Sequence, residues 1–172
     1  LVTEGYTYDM SCFVAWGDKL ASDGPAAFYS ADYFADYPPG YILVLGLVSL
    51  VRKALQLSYE SRWTYFLLAL IPAICDCAAV VLLDHISRRY MGQGRAQRCL
   101  VLFAAFCPLT LFDTGIWKQI DGAFALPLLL CFWLLEERRY LLAAVLYGVA
   151  LAIKPQALLA GPVLAVCFLV AI

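Results

Sequence analysis

From residue 40 onward the chain reads as long apolar runs separated by short polar breaks: 40–57, 63–83, 100–112, 123–135, 140–153 and 157–172. Within each run the apolar residues are continuous. They do not alternate with polar ones, so the pattern predicts helices and not the strands of a membrane barrel. The clearest run, 63–83, has 21 residues, about 31 Å as a helix, which matches a bilayer hydrocarbon core of about 30 Å. The first run is shorter before its charges: 12 residues precede Arg52-Lys53, about 18 Å. It either crosses fully or enters part way. Pro72, Pro108, Pro127 and Pro162 fall inside runs and are expected to kink helices that neighbouring helices support. Trp63, Trp117 and Trp133 lie near run ends, as interfacial anchors do.

Residues 1–39 follow a different pattern. Met10, Phe13, Val14, Trp16 and Leu20 recur at helical spacing, which predicts an amphipathic helix with Asp9 as its N-cap. Gly24-Pro25 stops it, and Ala26 to Tyr29 begin a short second helix. Such helices lie along a membrane surface. Tyr37-Pro38-Pro39-Gly40 then gives a rigid lead-in, because prolines fix φ and bar helix before them. The expected organisation is a loop of interfacial helices over 1–39 and a helix bundle of five to six apolar segments over 40–172.

Composition supports this division. Hydrophobic residues make up 64% of the chain and charged residues 15%, against roughly 45–50% and about 25% in soluble domains. That excludes an ordinary soluble domain, and disorder as well. The net charge of −1 conceals a split. Residues 1–39 carry six acids and one base, whereas 40–172 carry eleven bases and seven acids. No basic stripe suited to nucleic acid is present. Arg88, Arg89, Arg95 and Arg98 mark an 85–98 loop as cytoplasmic, although simple alternation of spans from an external acidic segment places it outside. Starting at Leu1 and stopping within an apolar run, the chain is expected to be a piece of a longer protein, incomplete at both ends. Seven scattered cysteines, none in C-x-x-C spacing, read as small buried hydrophobes.

The string from Tyr8 to Tyr41, YDMSCFVAWGDKLASDGPAAFYSADYFADYPPGY, resembles the first external loop of GT-C type glycosyltransferases that use polyprenyl-phosphate sugars. These are the dolichyl-phosphate glucosyl- and mannosyltransferases and their bacterial relatives. Gly115-Ile116-Trp117-Lys118-Gln119-Ile120-Asp121 is similar to that family's W-G-Q-x-D element, with Lys118 where glycine is usual. Ile153-Lys154-Pro155-Gln156-Ala157 resembles a K-P-Q element of the bacterial members. The resemblance implies an all-α, polytopic transmembrane bundle of GT-C type, located in the cell membrane. It also implies an inverting transfer of a hexose or related sugar, with Asp9 as general base and Asp36 as a second acid that either orients the acceptor or helps a metal where one is used.

The residues allow that chemistry. Sugar transfer needs a carboxylate to take the acceptor's hydroxyl proton and a cation to stabilise the departing phosphate. Asp9 and Asp36 flank the interfacial helices, and Asp9 either serves as the base or merely caps its helix. Arg62, Lys118 and Lys154 are the candidate phosphate contacts, with Lys154 either functional or reaching for the interface. Tyr37, Trp117, Gln119, Asp121 and Gln156 are expected to line the site. Three full crossings after Asp36 would put Asp121 on the face opposite Asp9. Asp76, within the clearest run, is expected to pair with a base from another helix. A single histidine, His85, leaves little material for a metal cluster or a Ser-His-Asp triad. No D-x-D element occurs, so no cofactor is expected; a divalent metal stays open as an alternative that the sequence does not indicate. The expected partners are a polyprenyl-phosphate-linked sugar, a glycan, lipid or protein acceptor and the bilayer. The competing reading is a transporter or lipid flippase, since broken helices with buried charge are also transporter features.

Overall fold

The computed structural model describes residues 4–30 and 32–171. The first three residues, Ala31 and Ile172 at the end of the last apolar run lie outside the described residues. Every regular element among the described residues is helical, as the continuous apolar runs predict.

Helix α1 (Thr7–Asp23) follows the expected amphipathic pattern and buries Met10, Phe13, Val14, Trp16 and Leu20. Gly24 ends it at φ 78°, and the four-residue α2 (Pro25–Phe28) follows. Helix α3 (Pro39–Ala54) begins directly behind Pro38, where proline's fixed φ and missing N–H suit a first turn. Its 16 residues span about 24 Å, short of a full hydrocarbon core. Helix α1 packs along α3 at a close approach, since a Cβ on Gly17 would lie 2.5 Å from the Leu45 carbonyl oxygen. Asp18 fastens the same seam. It accepts hydrogen bonds from Ser49 and, at 2.7 and 2.8 Å, from Arg52 Nη2. Burial pushes the Asp18 carboxyl up, but these donors outweigh it and hold the group below the usual carboxylate range. Gly17→Val should therefore destabilise the protein by about 1–3 kcal/mol by overpacking, read as a lower thermal unfolding midpoint.

Helix α4 (Arg62–Met91) is 30 residues long and contains Pro72. It extends beyond the expected span and absorbs the first half of the expected 85–98 loop, which contracts to Gly92, Gln93 and Gly94. Nothing between Asp84 and Met91 breaks a helix, and Asp84 pairs with Arg88 one turn on. The polarity there marks a boundary of environment and not a helix end. The chain returns through α5 (Arg95–Ala105), the short α6 (Pro108–Phe112) and a π-helical turn, Asp113–Trp117. Helices α7 (Asp121–Glu136) and α8 (Tyr140–Ile153) form a hairpin, followed by a 3-10 turn, Pro155–Ala160, and α9 (Gly161–Ala171). Pro108 and Pro162 begin helices and do not kink them, while Pro72 and Pro127 sit inside α4 and α7.

Among the described residues two stretches are long and apolar enough to cross a membrane, Arg62–Met91 and Arg95–Trp117. Their outward faces are apolar too, as Phe103, Phe106 and Leu109 illustrate, which suits contact with lipid and not water. The cysteine expectation needs correcting for the same reason. Among the described residues all seven are free thiols, yet only Cys131 is buried, while Cys77, Cys99 and Cys167 lie exposed on helices whose outer faces are apolar.

The register of the helices sets the two ends of the molecule. Gly122 at the start of α7 rests against Asp76 and the Pro72 carbonyl, midway along α4. The far end of α7 meets the far end of α4: Trp133 packs edge-on against His85, and Glu137 and Glu136 pair with Arg89. Glu136 to Arg139 is an exposed turn between the two helices, as its charges suggest, and its two glutamates tie it to α4. Helix α8 runs back until a Cβ on Gly40 would lie 2.6 Å from the Ala152 carbonyl oxygen. The starts of α3 and α7 and the end of α8 consequently share one end. The basic α4–α5 turn lies at the other, about 24 Å away along α7.

Candidate functional site

Asp9 is not the N-cap of α1. That position belongs to Tyr6, with no side-chain capping bond, and Asp9 lies inside the first turn. Its carboxylate is engaged elsewhere: Gln119 Nε2 donates to Asp9 Oδ2 at 2.5 Å, and Trp117 Nε1 donates to the same oxygen at 3.2 Å. Neither bond touches Oδ1. The backbone reinforces this junction, because Tyr6 N–H donates to the Trp117 carbonyl at 3.4 Å and the Tyr6 and Trp117 rings meet at 5.9 Å. Residues more than a hundred positions apart are joined by the π-helical turn before Lys118, an element that frequently marks functional positions.

Lys118 adopts a left-handed conformation, φ 66° and ψ 39°, which reverses the chain between the π turn and α7. It is buried, 1% exposed, with its stem against Gly5, and burial pushes its ammonium below the ordinary lysine range. Two residues beyond Gln119, Asp121 opens α7 and forms an ion pair with Lys154 at the end of α8. Asp121 therefore lies at the same end as Asp9, and the expected opposition of faces does not hold. The reason is that α7 starts halfway along α4 rather than at its tip.

Asp36, Tyr37, Lys154 and Gln156 together line an open cavity of about 590 Å³ closed by Pro38, Leu158 and Leu159. Tyr37 is anchored by an aromatic cluster, with Trp16 at 5.5 Å and Phe13 at 5.6 Å between ring centroids. Trp16 in turn donates its indole N–H to the Phe34 carbonyl at 2.9 Å, which holds the loop ahead of α3. Burial pushes the Tyr37 phenol far above its ordinary range, and the charges of Asp36, Asp9, Asp121 and Asp113 add to the push. Tyr37 thus remains a neutral hydroxyl. Cys12, one turn beyond Asp9, carries the same signature: burial raises its thiol first, then Asp9 and Asp36.

Of the ten expected residues, Asp36, Tyr37, Lys154 and Gln156 line this cavity; Trp117 and Gln119 meet at Asp9, Asp121 pairs with Lys154, and Arg62 and Lys118 belong to neither group. Arg62 is exposed at the start of α4, about 21 Å along the helix axis from Asp76, and among the described residues it forms no ion pair. Lys118 is buried beneath the junction. Asp76 has no basic partner among the described residues. It instead accepts from Thr114 Oγ1 at 2.5 Å and supports Gly122, so it joins α4, the π turn and α7 by hydrogen bonding and close packing. Sequence reasoning missed Asp113 and Tyr6. Asp113 was visible as the start of the polar break, but not as the first residue of a π turn. Among the described residues no group of three His, Cys, Asp or Glu is placed to hold a metal ion.

Membrane-length helices, with carboxylates and a lysine gathered beside an open cavity, define the class: a helical membrane protein with a polar cluster at the level where α7 begins. The chain belongs to glycosyltransferase family 87, a GT-C type family, whose sequence profile matches residues 34–170. The match covers Asp36, Tyr37, Trp117 to Asp121 and Lys154 to Gln156. Asp9 lies ahead of it and is tied to it by Gln119 and Trp117. No curated protein and no solved structure matches the chain.

Proposed function

We propose that the chain forms the catalytic end of an inverting hexosyltransferase. In this reading it takes a sugar from a polyprenyl-phosphate carrier and passes it to a lipid-linked, envelope or protein acceptor. Family membership supports glycosyl transfer. The observation that carries the mechanism is the Asp9 carboxylate, held through Oδ2 by two donors that leave Oδ1 unengaged by either.

In that role Oδ1 accepts the proton of the acceptor hydroxyl as its oxygen attacks the anomeric carbon. The bond from that carbon to the phosphate oxygen breaks with its electron pair, and one displacement inverts the centre. Lys154 balances the charge on the leaving phosphate, with Asp121 holding its ammonium in position. Asp36 and the neutral Tyr37 hydroxyl bind the sugar and acceptor hydroxyls, and Gln156 extends the same wall. Arg62 takes no part in this cavity, and Lys118 shapes the junction under Asp9. The basic α4–α5 turn at the opposite end favours the cytoplasm, so the reaction faces outward from a multi-pass protein of the cell membrane. No step requires a metal or cofactor.

The charge balance supports the donor class. Asp36 on the cavity wall is not offset by Lys154, which Asp121 already neutralises, so the cavity carries a net negative charge. Such a field disfavours a doubly charged nucleotide diphosphate sugar relative to a sugar phosphodiester bearing one charge. Full-length protein in lipid, given labelled polyprenyl-phosphate hexose or a labelled nucleotide diphosphate hexose, should transfer or hydrolyse only the first. Turnover of the nucleotide sugar alone would overturn the donor assignment. Donor flux across the bilayer without bond cleavage would support a transporter instead.

A further inference from the structure

At the end of the bundle remote from Asp9 lies a second cavity, of about 320 Å³, between the last turns of α4 and the start of α5. Asp84 and Arg88 form one wall, and Gln93, Gln97 and Arg98 the other. The charged groups are not equivalent. Arg88 is neutralised by Asp84, with Nη2 and Oδ2 at 2.7 Å and Nε donating to Oδ1 at 3.1 Å. Gln97 is 3% exposed and donates its amide to Asp84 Oδ1 at 2.8 Å and to Ser87 Oγ at 3.0 Å, so the acid is held rigidly. Arg98 is exposed and forms no ion pair among the described residues. The pocket therefore carries one uncompensated positive charge.

Its floor has another chemistry. Val101 and Leu102 close it, and Leu102, Phe103 and Phe106 continue from there as an exposed apolar face along α5. The site lies where the two helices of crossing length turn back on each other. An arginine over a pocket that opens onto a lipid-facing helix matches one ligand in both halves: a phosphodiester headgroup for the guanidinium and acyl chains for the apolar face. Basic pockets between membrane helices recognise anionic lipid headgroups in this way.

We propose that this cavity binds the headgroup of an anionic glycerophospholipid of the surrounding leaflet, with Arg98 as its charge partner and α5 as the track for its chains. The pocket lies at the opposite end from the transfer site and does not depend on the reading of that site. A single basic residue facing an anionic lipid surface contributes roughly a fivefold preference, so the effect is measurable and modest.

The test is native mass spectrometry of the full-length protein released from bilayers containing equal phosphatidylglycerol and phosphatidylcholine. The parent should retain phosphatidylglycerol preferentially, and Arg98→Gln should lower that preference roughly fivefold. Arg139→Gln, which removes an exposed arginine outside the cavity, should leave it unchanged. Gln93→Glu should lower it by setting a negative charge beside the headgroup. Retention unchanged in Arg98→Gln, or lost equally in Arg139→Gln, would contradict the proposal. So would equal displacement of the lipid by millimolar inorganic phosphate, which would show an anion site indifferent to the lipid. Thermal unfolding of each variant confirms that the comparison is made on folded protein.

Discussion

Replacing Asp9 with Asn is expected to lower glycosyl transfer by about 10²- to 10⁴-fold, the usual contribution of a positioned general base. The substitution keeps the size of the side chain and leaves an oxygen to accept the Gln119 amide and the Trp117 indole N–H. It removes only the ability to take a proton. Thermal stability and extraction from the membrane should match the parent, because Asp9 is no helix cap and supplies no packing to the α1 core. Donor binding should persist while kcat falls. A drop in stability matching the drop in activity would instead make Asp9 a structural pin between α1 and the π turn.

The second large effect is expected at Lys154. Lys154→Ala removes the cation beside the Asp36 and Tyr37 cavity and leaves Asp121 without its ion-pair partner. Loss of one preorganised electrostatic group at a developing charge costs about 10²- to 10³-fold in kcat. The two consequences separate in a double-mutant cycle. If Lys154 serves only to neutralise Asp121, the Lys154→Ala, Asp121→Ala pair should recover most of what the single change loses. If its ammonium meets the leaving phosphate, the pair should recover stability but not turnover. Lys154→Arg tests geometry as well, since a guanidinium restores charge on a wider, planar head.

These effects concern residues that the sequence named but could not assemble. The helices were legible because continuous apolar runs, Gly24-Pro25 and Pro38-Pro39 are local signals: the predicted 140–153 run is α8 to the residue. The entry of α3 behind Pro38 and the amphipathic face of α1 were equally local. Boundaries failed where polarity and helicity part company. The residues from Asp84 to Met91 look like a loop in hydropathy, yet they continue α4, since arginine, serine and aspartate pairs are compatible with a helix.

The site was legible as chemistry and not as geometry. Carboxylates ahead of a proline lead-in and a lysine before Pro155 are local facts. That Gln119 and Trp117 reach Asp9 depends on a π turn and a left-handed Lys118, and neither has a distinctive sequence signature. The expectation that Asp121 faces away from Asp9 assumed whole crossings. It fails because α7 begins midway along α4, where Gly122 alone allows the approach to Asp76 and Pro72. The role expected for Asp76 changed for a related reason: with Thr114 delivered to it by the π turn, a hydrogen bond serves where a basic partner had been anticipated.

The central claim is that Asp9 takes the acceptor proton in a sugar transfer from a lipid phosphate. Its most direct test is a single-turnover assay of full-length protein in lipid with radiolabelled polyprenyl-phosphate hexose, comparing the parent with Asp9→Asn at matched donor occupancy. The account predicts that the parent transfers or hydrolyses the sugar and that Asp9→Asn binds the donor equally while reacting at least about 10²-fold more slowly. Equal rates in the two proteins would contradict it.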